Sequence, residues 1–148
     1  MADAVKRIDA EELEWEDYIS YFEGDPFTGV AIERRPDGSL WSEQTYAMGV
    51  LDGISRDFHE NGALDSETMF KLGIANGTSR AFYPSGKPKF EKNIELGYCL
   101  SSREYDESGT LVKEQALQQG DENYRLLEAA RAREPQRVEQ IKTKVRPK

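Results

Sequence analysis

A turn glycine recurs at a fixed interval along most of this chain, and that periodicity constrains the fold more than any other feature. Residues 29–52 (GVAIERRPDGSLWSEQTYAMGVLD), 53–76 (GISRDFHENGALDSETMFKLGIAN) and 77–100 (GTSRAFYPSGKPKFEKNIELGYCL) align without a gap at a period of 24. A fourth unit, 101–120, is one residue shorter before its last glycine. One glycine column reads Gly38, Gly62, Gly86, Gly109; another reads Gly49, Gly73, Gly97, Gly120. Ring positions recur as Phe58, Phe82 and Tyr105, glutamates as Glu43, Glu67, Glu91 and Glu114, and arginines as Arg56, Arg80 and Arg103.

Each unit reads as a β-hairpin. The turns RPDGS, HENGA, YPSGK and DESGT join segments of alternating polarity, and Pro-Asp-Gly or Asn-Gly in that setting signals a tight connection. Pro36 and Pro84 cannot adopt positive φ, so a primed two-residue turn is excluded there. Proline suits the first corner of a type I turn, with glycine left-handed after it. The spacing therefore predicts three-residue loops with a bulge at 36–38, 60–62 and 84–86, and by analogy at 107–109. Continued without interruption, that register sets Phe58 opposite Leu64 and places Arg56, Phe70, Ser66 and Thr68 on their face. Asp57, His59, Asp65, Glu67 and Met69 then form an opposite, acidic face, joined by Glu33, Trp41 and Glu43. A two-residue loop would instead bring Arg56 opposite Glu67, but the prolines argue against it. Glutamates two strands apart along such a column stand about 9.5 Å from one another, a solvated polar ladder rather than a tuned catalytic pair.

The flanks read differently. EDYISYFEGDPFTG resembles half a unit, since stepping back one period from Gly49 reaches Asp25, and Tyr18–Phe22 is expected as a strand. Residues 1–17 are expected as an N-terminal segment, partly disordered or a short helix; a helix over Ala10–Ile19 competes with the strand. The repeat domain is expected over 18–120. Residues 121–148 are expected as a C-terminal helix and basic tail, capped by Asp121, with a stripe of Leu126, Leu127 and Ala130, and broken or restarted at Pro135. That tail carries a net charge of +3, the rest −11. The predicted fold is mainly β: an antiparallel meander of about nine strands with a C-terminal α-helix.

Composition narrows the function. An overall charge of −8 lacks the basic footprint of a nucleic-acid binder and of adsorption to an anionic membrane. No apolar run is long enough to span a bilayer, and the N-terminus lacks the apolar core of a signal peptide. A single cysteine, Cys99, precludes an internal disulfide and a Cys-rich metal site. His59 lies beside a hairpin turn and Cys99 in a loop between repeats, so neither forms a nucleophile–base pair. The glycines do not fall in a phosphate-binding loop. No catalytic, metal or cofactor residues are expected, and no cofactor.

The pattern G-x-x-R-x-F-x-x-x-G-x-L-x-x-E-x-x-F-x-x-G over about residues 18–117 resembles the MORN-repeat variant of bacterial YwqK-family antitoxins. Arg34 and Ile32 in the first unit, and Pro88 and Ser101 later, depart from it, as terminal capping repeats do. The resemblance implies a cytoplasmic protein that neutralises a toxin by binding it. Two candidate partner surfaces follow. One is acidic, Glu43, Asp57, Asp65 and Glu67, and would steer a basic toxin domain. The other is the arginine-and-ring face of Arg56, Phe58, Arg80 and Phe82. The alternative is a structural scaffold that associates with its own copies through sheet edges or the aromatic face.

Overall fold

A computed structural model describes residues 5–145. Eight strands run as an antiparallel meander: β5 (Gly29–Arg34), β6 (Leu40–Ala47), β7 (Val50–Phe58), β8 (Leu64–Lys71), β9 (Ile74–Phe82), β10 (Pro88–Glu95), β11 (Tyr98–Tyr105) and β12 (Leu111–Ala116). A short β1 (Arg7–Asp9) adds in parallel to β5, completing nine strands. β2 (Glu14–Glu16), β3 (Ile19–Phe22) and β4 (Asp25–Pro26) form a small second sheet, and one helix, α1 (Glu122–Lys144), ends the fold.

Two kinds of turn alternate. In the predicted loops, Gly38 N–H donates to Arg35 O at 2.8 Å and Arg35 N–H to Ser39 O at 2.8 Å. The same pair of bonds closes the loops at 62, 86 and 109. Gly38, Gly62, Gly86 and Gly109 all have φ between 86 and 91°, so the three-residue loops stand as read from the prolines. Between hairpins the turns are shorter. Met48–Gly49, Leu72–Gly73 and Leu96–Gly97 have positive φ at both residues, the two-residue primed turn that matches strand twist. A non-glycine residue in this region costs about 1–2 kcal/mol. A repeated acceptor offsets it: Met48 N–H donates to Thr28 Oγ1 at 2.9 Å, Leu72 N–H to Asp52 Oδ2 at 3.0 Å and Leu96 N–H to Asn76 Oδ1 at 3.1 Å. Each hairpin thus ties down the turn that ends the next.

The register departs from the uninterrupted one. Phe58 pairs with Leu64 as expected, but Asp57 pairs with Ser66 and Arg56 with Glu67. One extra residue, Asp65, bulges from β8. Equivalent extra residues are Trp41, Lys89 and Val112. A bulge sets two residues against one, so every later residue of the strand changes face. Glu67 and Met69 therefore join Arg56, while Ser66, Thr68 and Phe70 lie on the opposite side with Asp57.

The N-terminal half-unit is one residue out of phase. Its primed turn is Glu23–Gly24, not the position one period before Gly49. The strand begins at Ile19, after a second primed turn at Asp17–Tyr18. Among the described residues of this segment, helix is confined to a single 3-10 turn, Ala10–Glu12. Apolar packing concentrates at this end. Ile8, Phe27 and Ala31 are buried against Leu13, Phe22 and Tyr46, and Ile19, Val50 and Val145 against Tyr21, Leu72 and Ile141.

Helix α1 continues through Pro135 rather than breaking there. The missing N–H and ring clash cost about 3 kcal/mol, and tertiary contacts on both sides offset this. Arg131 Nη2 donates to Glu95 at 3.0 Å, Arg137 Nη1 to Leu72 O at 2.6 Å, and Ile141 and Val145 pack on the Ile19 cluster. Leu127 is buried but Leu126 is exposed. Asp121 is the N-cap residue, yet its carboxylate accepts the Gln118 N–H at 2.8 Å instead of a helix N–H.

Two outcomes test this arrangement. Gly49 and Gly62 share a positive φ, but a Cβ at Gly49 would sit 2.4 Å from Ile19 Cγ2, whereas nothing lies within 4 Å at Gly62. Gly62→Ala should cost about 1 kcal/mol in urea unfolding, and Gly49→Ala about 1–3 kcal/mol more. The Arg131 and Arg137 guanidinium groups, by hydrogen bonding, hold Glu95 and Glu134 below the usual carboxylate range. A depressed folded pKa stabilises above the unfolded value and is lost as pH falls through the folded one. Helix docking, followed by the NMR methyl shifts of Ile141 and Val145, should hold at neutral pH and weaken on acidification below the usual carboxylate range. Glu95→Gln should flatten that dependence.

Candidate interaction surface

The bulges assemble one row of alternating charge across the sheet. Glu43 stands opposite Arg56, Arg56 opposite Glu67, Glu67 opposite Arg80, Arg80 opposite Glu91, Glu91 opposite Arg103, and Arg103 opposite Glu114. Directly opposed residues share a face, so the glutamate and arginine columns are rungs of one ladder. Arg56 Nε and Arg80 Nη2 approach the Glu67 carboxylate at 3.3 and 2.5 Å, and Arg103 Nε approaches Glu114 at 3.1 Å. Ile32 occupies the arginine position in β5, and there Arg7, from β1, reaches Glu43 at 2.5 Å. Glu67 is the most enclosed of these partners at 16% side-chain exposure, against 41% and 47% for its two arginines.

The reverse face differs. One row across it reads Gln44, Ser55, Thr68, Ser79, Lys92, Ser102 and Gln115. Ser42, Ser79, Ser102 and Ala81 are buried, small residues sunk between larger neighbours on this side. Thr68 and Ser79 share a hydrogen bond at 2.8 Å.

The eight candidate partner residues are thus redistributed. Arg56, Phe58, Arg80 and Phe82 keep a common face, and Glu43 and Glu67 join them. Asp57 lies on the reverse face, exposed, accepting the Ser66 hydroxyl at 3.2 Å. Asp65 is a bulge residue whose carboxylate lies 3.7 Å from His59 Nε2. Among the described residues no continuous acidic face exists, because each glutamate of the column is interleaved with arginine.

His59 has a structural position that its sequence setting did not reveal. Its Nε2–H donates to Phe82 O at 2.8 Å. One repeat earlier Arg35 donates to Phe58 O, and one repeat later Tyr83 Oη donates to Tyr105 O at 2.8 Å. Arg35, His59 and Tyr83 thus form a column that ties each hairpin to the next at the long-loop end. Their shared donor role, rather than shared residue type, conceals it. Cys99 is exposed and is the second residue of β11, not part of a loop. At the loops, the Ser108 hydroxyl, followed by backbone N–H groups including that of Thr110, lowers the Asp106 pKa; the Ser39 hydroxyl and N–H do the same for Asp37.

Residues 51–72 and 75–95, two adjacent hairpin units, match the MORN repeat variant family. No curated protein matches the chain. Among solved structures it is similar to TarM (14% identity, TM-score 0.41, covering 62% of this chain and 18% of that one). It is also similar to a chain of the accessory secretory protein 1, 2 and 3 structure from Streptococcus pneumoniae (15%, TM-score 0.38, 70% and 22%). A third is a mutant S. aureus TarM in complex with Fondaparinux, alpha-GlcNAc-glycerol and UDP (13%, TM-score 0.41, 72% and 20%). The chain spans about a fifth of the length of each. Among the described residues, no helix is long and apolar enough to cross a membrane.

The ladder makes a quantitative prediction. A double-mutant cycle of Arg80→Ala and Glu67→Ala should give a coupling of about 0.5–1 kcal/mol at low salt, shrinking as salt is raised. An unfavourable coupling, or one that grows as salt is raised, would contradict direct pairing of the two charges.

Proposed function

We propose that this chain is a non-enzymatic protein-binding module, an antitoxin or immunity protein that acts in the cytoplasm and neutralises a cognate toxin domain by direct binding. The observation that carries this reading is the ladder face: a row of fixed, alternating charges on a repeat sheet, in a chain whose first 120 residues carry a net charge of −11. Two hairpins matching the MORN repeat variant support a repeat-built binding module in general; the toxin as partner is the step beyond that. A sheet held at both ends by cross-hairpin hydrogen bonds loses little freedom on association, which favours affinity. Its charge would steer a basic ligand and speed encounter. The mechanism is occlusion, without catalysis and without a cofactor.

The test is co-expression with the product of the gene directly upstream. Relief of growth inhibition by that product, together with a stoichiometric complex of the two chains, is the expected result. No relief, with the chain recovering only copies of itself, would favour the scaffold reading. Reversing Asp57 and Asp65, which lie off the ladder face, tests long-range steering by net charge alone: association should slow at low salt and recover near 0.5 M, where screening shortens to about 4–5 Å. Phe58→Ala or Phe82→Ala should instead raise the dissociation rate with little salt dependence, provided circular dichroism shows the sheet intact.

A further inference from the structure

The two edges of the nine-stranded sheet are treated differently. At the N-terminal edge, β5 is covered by β1, a strand outside the repeat, and that strand supplies Arg7 to Glu43. At the other edge, β12 is exposed along all six residues, and among the described residues no strand pairs with its outer side. The ladder stops there on a glutamate, Glu114, with Arg103 on its inner side. On the ladder face inside this edge, a groove of about 550 Å³ crosses β10 to β12, lined by Glu91, Asn93, Ser101, Arg103, Glu114 and Ala116 among others.

We propose that the β12 edge is a strand-capture site for an extended segment of a partner protein that carries arginine or lysine opposite Glu114. The inference rests on the protein-binding reading above and names how the partner is held. Backbone geometry supports it. Leu117 N–H donates to Leu100 O in β11, and N–H direction alternates along an antiparallel strand. The N–H groups of Glu114 and Ala116 therefore point to the open side. Ala116 O takes only a side-chain amide, that of Gln118, at 3.3 Å, which an incoming strand displaces. Charge complementarity selects the occupant. The row alternates in sign at each step from Glu43 to Glu114, so the next rung is cationic, as Arg7 is at the other end. A second copy fits less well, because centred antiparallel pairing of two β12 strands sets Glu114 against Glu114 or Lys113 against Lys113. Lys113 and the bulge at Val112 guard the edge against unselective pairing.

The probes are two fluorescein-labelled peptides, Thr-Val-Arg-Val-Thr and Thr-Val-Glu-Val-Thr, titrated with the full chain by fluorescence anisotropy. The arginine peptide should bind several-fold tighter than the glutamate peptide. Ala116→Pro removes an outward N–H and no internal ladder bond, so circular dichroism should be unchanged while peptide binding is lost. Glu114→Lys should invert the preference without relying on proline. Absence of binding by the arginine peptide, equal binding of both peptides, or undiminished binding to A116P would overturn the proposal. So would sedimentation showing copies of the chain joined through this edge. The two readings fail separately. If the upstream gene product binds wild type and A116P alike, the edge assignment falls and the antitoxin reading stands. If that product does not bind but the peptide pattern holds, the antitoxin reading falls and the edge assignment stands.

Discussion

One inserted residue per hairpin governs the surface chemistry of this sheet. Each three-residue loop would, by simple pairing, leave the arginine and glutamate columns on opposite faces. The bulges at Trp41, Asp65, Lys89 and Val112 rotate the remainder of each second strand by one position. The two columns then meet rung by rung. Without that insertion Glu67 could not lie between Arg56 and Arg80, and the sheet would carry one acidic face rather than a charge-balanced one.

The rest of the fold keeps this register from slipping. A sheet with little apolar burial along much of its length has weakly specified pairing, and here polar ties supply the specification. Thr28, Asp52 and Asn76 hold one end of successive hairpins; Arg35, His59 and Tyr83 hold the other. Apolar packing is reserved for the N-terminal end, where the small sheet and the helix close over Ile19 and Val50. The chain thus combines local hydrogen bonding along the repeats with a conventional core at one end.

Much of this was legible in the residues. Proline at Pro36 and Pro84 identified the loop length, the spacing of glycines identified the meander, and the stripe of Leu126, Leu127 and Ala130 after Asp121 identified the C-terminal helix. The loop bulge was foreseen, but the further bulge inside each second strand was hidden because its four residues, Trp, Asp, Lys and Val, share no chemistry; they are defined by being extra, not by what they are. The acceptor column was hidden for a related reason, since Thr, Asp and Asn share only an oxygen at the right reach. Helix continuity through Pro135 was settled by contacts more than thirty residues away in sequence, at Leu72 and Glu95, which no local signal encodes. The common face of Arg56, Phe58, Arg80 and Phe82 was legible because these residues precede the bulge, and the placement of the acidic set was not because it straddles it.

The register is tested most directly by cross-strand nuclear Overhauser contacts between β7 and β8 in the folded chain. The bulged pairing predicts backbone contacts of Arg56 with Glu67 and of Asp57 with Ser66, alongside Phe58 with Leu64. Contacts of Arg56 with Ser66 and of Asp57 with Asp65 would mean an uninterrupted hairpin, and would dissolve the charge ladder.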